Sequence, residues 1–269
     1  MYKKKGEKEK MNGEIIYYLF LILFLLFIIT LTLTGIFLLI RAYQLKMRNL
    51  FYLGTGFIFI SIGFIGSALI EYSWSIFFEE FFVSSGFILG TYFTNLTFHK
   101  VRKSPARLIL IFVISLAIVQ IIFSISKSID KTPLIFYMSA AFDLIFTILT
   151  FNWIAWSSYS AYKRVHDKDI MPWIKFRYKI IAITSFILSL HVIPEFFTPW
   201  NMPFIDHNNF AFGITAIMAI IFGVGMFLAW IMPDSLKNYL NKGYKSLEDK
   251  EFTEEELMDM VKKELSSSD

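Results

Sequence analysis

Six residues carry side chains that could do chemistry in a setting that offers them little solvent. Glu80 and Ser84, Asp143 and Thr147, and His191 and Glu195 are three pairs, each spaced by four residues and each inside a long apolar run. A spacing of four places two side chains on one face of a helix. An isolated charge in such a run is costly, so these groups must be protonated, paired or solvated. The pattern predicts a polar cavity that senses a proton or binds a small cationic ligand, with His191 as the cation that pairs with Asp143 or a glutamate. Pro194 has no N–H to give to the Leu190 carbonyl, so it is expected to kink the helix beside His191 and act as a hinge, leaving that carbonyl as an acceptor in the cavity.

The same faces extend further. Thr91 and Asn95 continue the line of Glu80 and Ser84, Thr150 and Ser157 continue that of Asp143 and Thr147, and Thr184 precedes His191 by seven residues. Glu79, Glu71, Asp206 and His207 add titratable groups at one side, with Lys127 and Lys131 as the loop cations there. A plainer reading is available for all of them, in which neutral side chains hydrogen-bond across helices and hold a bundle together. His191-x-x-x-Glu195 has a spacing that could serve a metal. It lacks a second histidine, and neither a metal nor a cofactor is expected.

The elements that must position these residues follow from composition. Of 269 residues, 56% are hydrophobic and 19% aromatic, with 31 Phe and 13 Tyr, while 18% are charged. Soluble domains average about 25% charged residues. Disorder is excluded by the abundance of Phe and Ile, and one soluble core of this size could not hide so much apolar surface. The chain has no Cys, which excludes a disulfide scaffold and thiolate chemistry.

Seven apolar runs, 15–40, 51–70, 77–98, 108–126, 134–161, 180–197 and 210–232, lack Lys and Arg. Each reaches the ~18 residues that a helix needs to cross about 30 Å of hydrocarbon. Barrel strands would instead alternate over about ten residues. The fold class expected is an all-α integral membrane protein, a seven-transmembrane-helix bundle over 15–233. A charged tail, 1–14, precedes it and a tail, 234–269, follows it. The first run is expected to be a span and not a cleaved signal, since no small-residue cleavage site follows it. Gly86-x-x-x-Gly90, Gly63-x-x-x-Ser67 and Ala219-x-x-x-Gly223 read as close helix crossings.

Charge sets the expected orientation. The loops after the first, third and fifth runs hold 13 Lys and Arg, and those after the second, fourth and sixth hold 2. By the positive-inside rule the basic loops and the C-terminus are cytoplasmic and the N-terminus is outside, against the five lysines of the N-terminal tail. Trp74 and Trp200 then fall at outer boundaries and Trp173 and Trp230 at inner ones. The carboxylates and His191 gather toward the outside. In the C-terminal tail, Thr253-x-x-Glu256 is a capping box, and Leu257, Val261 and Leu265 form one apolar stripe, so a short amphipathic helix is expected over about 254–265.

Several functions are excluded by motif. A retinal Schiff base needs a lysine in the last span, which has none. The acidic-Arg-Tyr and Asn-Pro-x-x-Tyr runs of animal-type receptors are replaced by His99-Lys100-Val101-Arg102 and by Ala229-Trp230-Ile231-Met232-Pro233. There is no phosphate-binding glycine loop, no nucleophile elbow and no aromatic-interleaved basic patch for nucleic acid. In plan the chain is similar to the seven-helix membrane input modules of microbial signalling proteins. That likeness of architecture implies output through a separate cytoplasmic protein partner. The expectation is a non-enzymatic, receptor- or sensor-like protein of the plasma membrane. The alternatives are a proton- or cation-coupled transporter, a membrane-embedded metal-dependent hydrolase and a structural membrane subunit.

Overall fold

The computed structural model describes residues 2–70, 72–99, 105–129, 132–166, 170–201, 210–242 and 244, with only the backbone for 2–13, 72, 73 and 128. Glu71, Lys131, Asp206, His207 and the tail helix expected over 254–265 lie outside the described residues.

The described residues are predominantly helical, without a strand. The helices are α1 (Tyr2–Gln44), α2 (Arg48–Leu69), α3 (Tyr72–Phe98), α4 (Ala106–Ile129), α5 (Pro133–His166), α6 (Pro172–Leu188), α7 (Phe210–Trp230) and α8 (Asp234–Leu240), with a 3₁₀ turn at Ile193–Phe197 between α6 and α7. Seven segments are long and apolar enough to cross a membrane: Glu14–Gln44, Arg48–Leu69, Trp74–Phe98, Ala106–Lys127, Pro133–His166, Pro172–Phe197 and Phe210–Trp230. They match the seven apolar runs in order. The largest change in bounds is the sixth, which starts at Pro172 instead of 180. The chain is therefore a multi-pass membrane protein.

The helices close into a ring. Each of α1 to α7 packs against its neighbours in sequence, α7 returns to α1, and α3 touches α5 behind α4. The centre is filled by Phe57, Phe93, Phe151, Phe222 and Trp230, among others. The outside is apolar as well: Leu25, Ile29, Leu33, Ile36 and Ile40 of α1 and Ile111, Ile118 and Ile122 of α4 are all exposed. Faces of this kind are solvated by lipid and not by water.

Small residues set the closest crossings. A Cβ on Gly86 would lie 2.7 Å from the Gly56 carbonyl oxygen and 2.5 Å from Ile60, so α2 and α3 meet backbone to backbone there. Gly63 does the same against Glu79 and Val83, Gly223 against Phe27 and Thr30 of α1, and Gly35 against Gly54. Gly90 departs from the expectation. A Cβ there would meet nothing nearer than Ile154 at 3.9 Å, an ordinary contact, so no close helix crossing requires this glycine.

At the end that carries the basic loops, Arg177 is buried at 5% exposure. Its Nε donates to the Ala229 carbonyl at 2.8 Å, and its guanidinium lies 4.8 Å from the Trp173 ring and 5.2 Å from the Trp230 ring. Trp173 and Trp230, expected as interfacial anchors, are thus buried and hold this cation between α6 and α7. Trp74 and Trp200 at the other end are exposed, as anchors are.

Candidate functional site

Three elements bring four carboxylates together at the end away from the basic loops. α3 contributes Glu79 and Glu80, α5 contributes Asp143, and the 3₁₀ turn after α6 contributes Glu195. The charge of Asp143 interacts with those of Glu80, Glu195 and Glu79, and with that of Lys127 from α4. Glu195 in turn interacts with Lys127 and Glu80. Among the described residues the group holds four acids against one ammonium. In a low-dielectric interior its negative charge stands only if a cation or protons enter with it.

Glu80 is the best supported member. Gln120 Nε2 donates to its Oε1 at 3.3 Å, and the Ser124 side chain hydrogen-bonds it too. Ser67 of α2 hydrogen-bonds Glu79. Gln120 is 2% exposed, and its Oε1 has no hydrogen-bond partner; neither has Ser84 Oγ, one turn along α3 from Glu80. Lys127 Nζ lies 4.7 Å from the centre of the Phe136 ring, near the start of α5.

Gln120, Ser124 and Lys127 were not among the expected site residues. Their spacing of four and three marks one helix face. Lys127 was assigned to the loop, whereas α4 continues to Ile129 and carries it inside the last turn.

His191 does not make the expected pair. Its Nδ1 sits 2.8 Å from the Leu188 carbonyl, and among the described residues no carboxylate acts on it. A carbonyl only accepts, so Nδ1 carries the hydrogen. The His191 carbonyl accepts from Thr215 Oγ1 at 3.0 Å. Among the described residues Lys127, and not His191, is the cation that acts on the acids. The reason is local. α6 ends at Leu188, so a face counted through 184, 191 and 195 at helical spacing does not exist.

Pro194 causes this break without forming the kink expected of it. Its ring would clash with the Leu190 carbonyl in a continuous helix. The chain leaves the α-helix at Ser189, turns, and enters the 3₁₀ turn at Ile193. The Leu190 carbonyl accepts from the Ile193 N–H at 3.1 Å, so it is not left over in the cavity.

The remaining polar residues divide by partner. Thr147 is fully buried and donates to the backbone carbonyl of Asp143, not to its carboxylate. Asn95 donates to Ala106 O at 2.8 Å and accepts from Trp153 Nε1 at 2.8 Å, tying α3, α4 and α5. Ser157 meets His99 Nε2 at 2.9 Å, and Thr184 Oγ1 donates to Ile180 O at 2.9 Å. These are cross-braces and back-bonds. Among the described residues no three His, Asp or Glu side chains come close enough to hold a metal ion.

No protein-family model matches the chain, and neither a curated protein nor a solved structure matches it.

Proposed function

We propose that this protein is a receptor- or sensor-like membrane bundle whose carboxylate group, facing outward, responds to protons or to a small cation. One observation carries the reading: Glu195 rides on a broken segment, Ser189–Phe197, while Glu80 and Asp143 stand on unbroken helices. Neutralising the acids removes mutual repulsion across that junction. The short 3₁₀ turn is the element best able to move in response, since it lacks the full hydrogen-bond ladder of an α-helix. It packs against α7, whose far end meets Arg177 of α6. A change at the acids therefore has a connected route to the basic end, where a cytoplasmic partner would read it. The N-terminus outside and residence in the plasma membrane belong to the same proposal and rest on the charge of the loops.

Hydrogen–deuterium exchange of the purified full chain in detergent tests the reading. The protection of amides over residues 189–197, corrected for the intrinsic pH dependence of exchange, should change between pH 5 and pH 8, or on adding a monovalent cation series at fixed pH. The change should be lost in Asp143→Asn and in Glu195→Gln. Protection that is flat in the wild type under every condition would remove the sensor reading. Uptake of a cation by proteoliposomes would favour a carrier using the same acids.

A further inference from the structure

The two helices that meet at the most basic loop, α5 and α6, present the same order of residues on their outer faces. On α5 the outward positions are Trp156, Tyr159, Lys163 and His166, spaced by three, four and three, and all are exposed. That spacing keeps them on one helix face. On α6, which runs the other way, Phe186, Ile183 and Lys179 are spaced by three and four and are likewise exposed. The inner faces, with Ala161 and Val165 of α5 and Ile174 and Ile181 of α6, are buried in the bundle. Each helix thus shows apolar or aromatic side chains first and a lysine one turn nearer the loop.

The two lysines stand level. Lys175 Nζ donates to the His166 carbonyl at 2.7 Å, which ties the start of α6 to the end of α5. Counted from that tie at about 1.5 Å per residue, Lys163 lies about 4–5 Å further along the bundle and Lys179 about 6 Å. α5 packs against α6, and packed helices have axes about 8–10 Å apart. Lysine side chains on adjoining outer faces therefore reach a common point between the two helices. Neither lysine makes an ion pair among the described residues, and the stretches 159–166 and 170–186 hold no Asp or Glu. Asp167 and Asp169 of the loop lie outside the described residues.

We infer that this outer face of α5 and α6 binds an anionic phospholipid, with its phosphodiester between Lys163 and Lys179 and its acyl chains along Tyr159, Ile183 and Phe186. Charge and layering carry the choice of occupant. Two ammonium groups at one depth call for an anion, and the apolar side chains a turn deeper call for hydrocarbon; an anionic lipid brings both in that order. A zwitterionic headgroup would turn its own ammonium toward the two lysines. A soluble anion would gain nothing from Ile183 and Phe186. Tyr159, one turn from Lys163, places an amphipathic ring at the boundary between headgroup and chain, where such rings are favoured. The inference is independent of the sensor reading and of which side the basic end faces.

Native mass spectrometry of the full chain, stripped of lipid in detergent, tests it. Phosphatidylglycerol and phosphatidylcholine with the same acyl chains are added separately, and the affinity for the first bound molecule is read. The wild type should prefer phosphatidylglycerol by about ten-fold or more. A lysine near an anionic headgroup is worth about five-fold. Lys163→Gln combined with Lys179→Gln should therefore bring the preference within about two-fold, and each single change should remove part of it. Lys163→Arg with Lys179→Arg should keep the preference. Lys46→Gln with Arg48→Gln removes the same charge from exposed positions at the α1–α2 junction, at the same end, and should leave the preference as it is. Melting temperatures in detergent show that each variant is folded. A wild type that binds the two lipids alike overturns the inference. So does a folded protein with Lys163→Gln and Lys179→Gln that still prefers phosphatidylglycerol. Equal loss in the Lys46→Gln and Arg48→Gln protein also overturns it, since the attraction would then be spread over the whole basic end.

Discussion

Gln120 of α4 donates its side-chain amide to Glu80 of α3 at 3.3 Å, which makes a neutral residue on the outermost helix of the ring the support for one acid of the group. α4 meets only α3 and α5. Its apolar face turns to lipid, and its single polar face, Gln120, Ser124 and Lys127, turns to the carboxylates. The group is thus closed on one side by a helix that also packs Val113 and Ala117 against Phe146 of α5.

Gln120→Leu should destabilise the protein by about 1–3 kcal/mol, because Glu80 loses a donor that water cannot replace. Gln120→Glu adds a fifth carboxylate and should be worse at neutral pH, regaining stability as the pH falls. Thermal unfolding in detergent at two pH values measures both. Equal stability of the two variants at every pH would show that Gln120 is only packing.

Arg177 should behave as a structural cation of the basic end. Arg177→Met removes one hydrogen bond to a backbone carbonyl and two ring contacts, a loss of about 2–4 kcal/mol. Arg177→Lys keeps the charge without the planar fork and should recover less than half of that. Melting temperatures of the three proteins give the order.

The two glycines of α3 should part company. Gly86→Ala forces a methyl against the Gly56 carbonyl and Ile60 and should cost about 1–3 kcal/mol. Gly90→Ala meets no atom closer than 3.9 Å and gains helix propensity of up to about 1 kcal/mol, so it should be neutral or stabilising. The same melting experiment separates them.

Much of this arrangement is legible in the chain. The seven spans are written as unbroken apolar runs, and their ends move by only a few residues except where Pro172 starts α6 early. Glu80 and Asp143 stand on the long unbroken helices that their apolar runs predict. What failed did so for definable reasons. Lys127 was read as a loop residue because hydropathy falls a turn before the helix ends. His191 was placed with the acids by counting residues along a helix that stops at Leu188. Pro194 announces a break, yet the break falls upstream of the ring, where the clash with the i−4 carbonyl is felt. Trp173 and Trp230 look like interfacial anchors because their packing on Arg177 depends on two helices distant in sequence. Gly90 has no local signature either, since a glycine that a close crossing requires and one that it does not are the same letter.

Orientation has its own check. The chain has no Cys, so single cysteines at Lys46 and at Thr132, both described and outside the helices, can be labelled in intact cells without background. A membrane-impermeant maleimide applied from outside should react with Thr132→Cys and spare Lys46→Cys. The reverse result would turn the carboxylate group toward the cytoplasm.

The central claim is that Glu79, Glu80, Asp143 and Glu195 act as one electrostatic unit with Lys127. Infrared titration of the carboxylic C=O band in the purified protein tests it most directly. Coupled groups titrate as a set. Removing any one by Glu80→Gln, Asp143→Asn or Glu195→Gln should therefore shift the titration of those that remain. If each substitution merely subtracts its own component and leaves the rest of the curve in place, the four acids are independent and the account is contradicted.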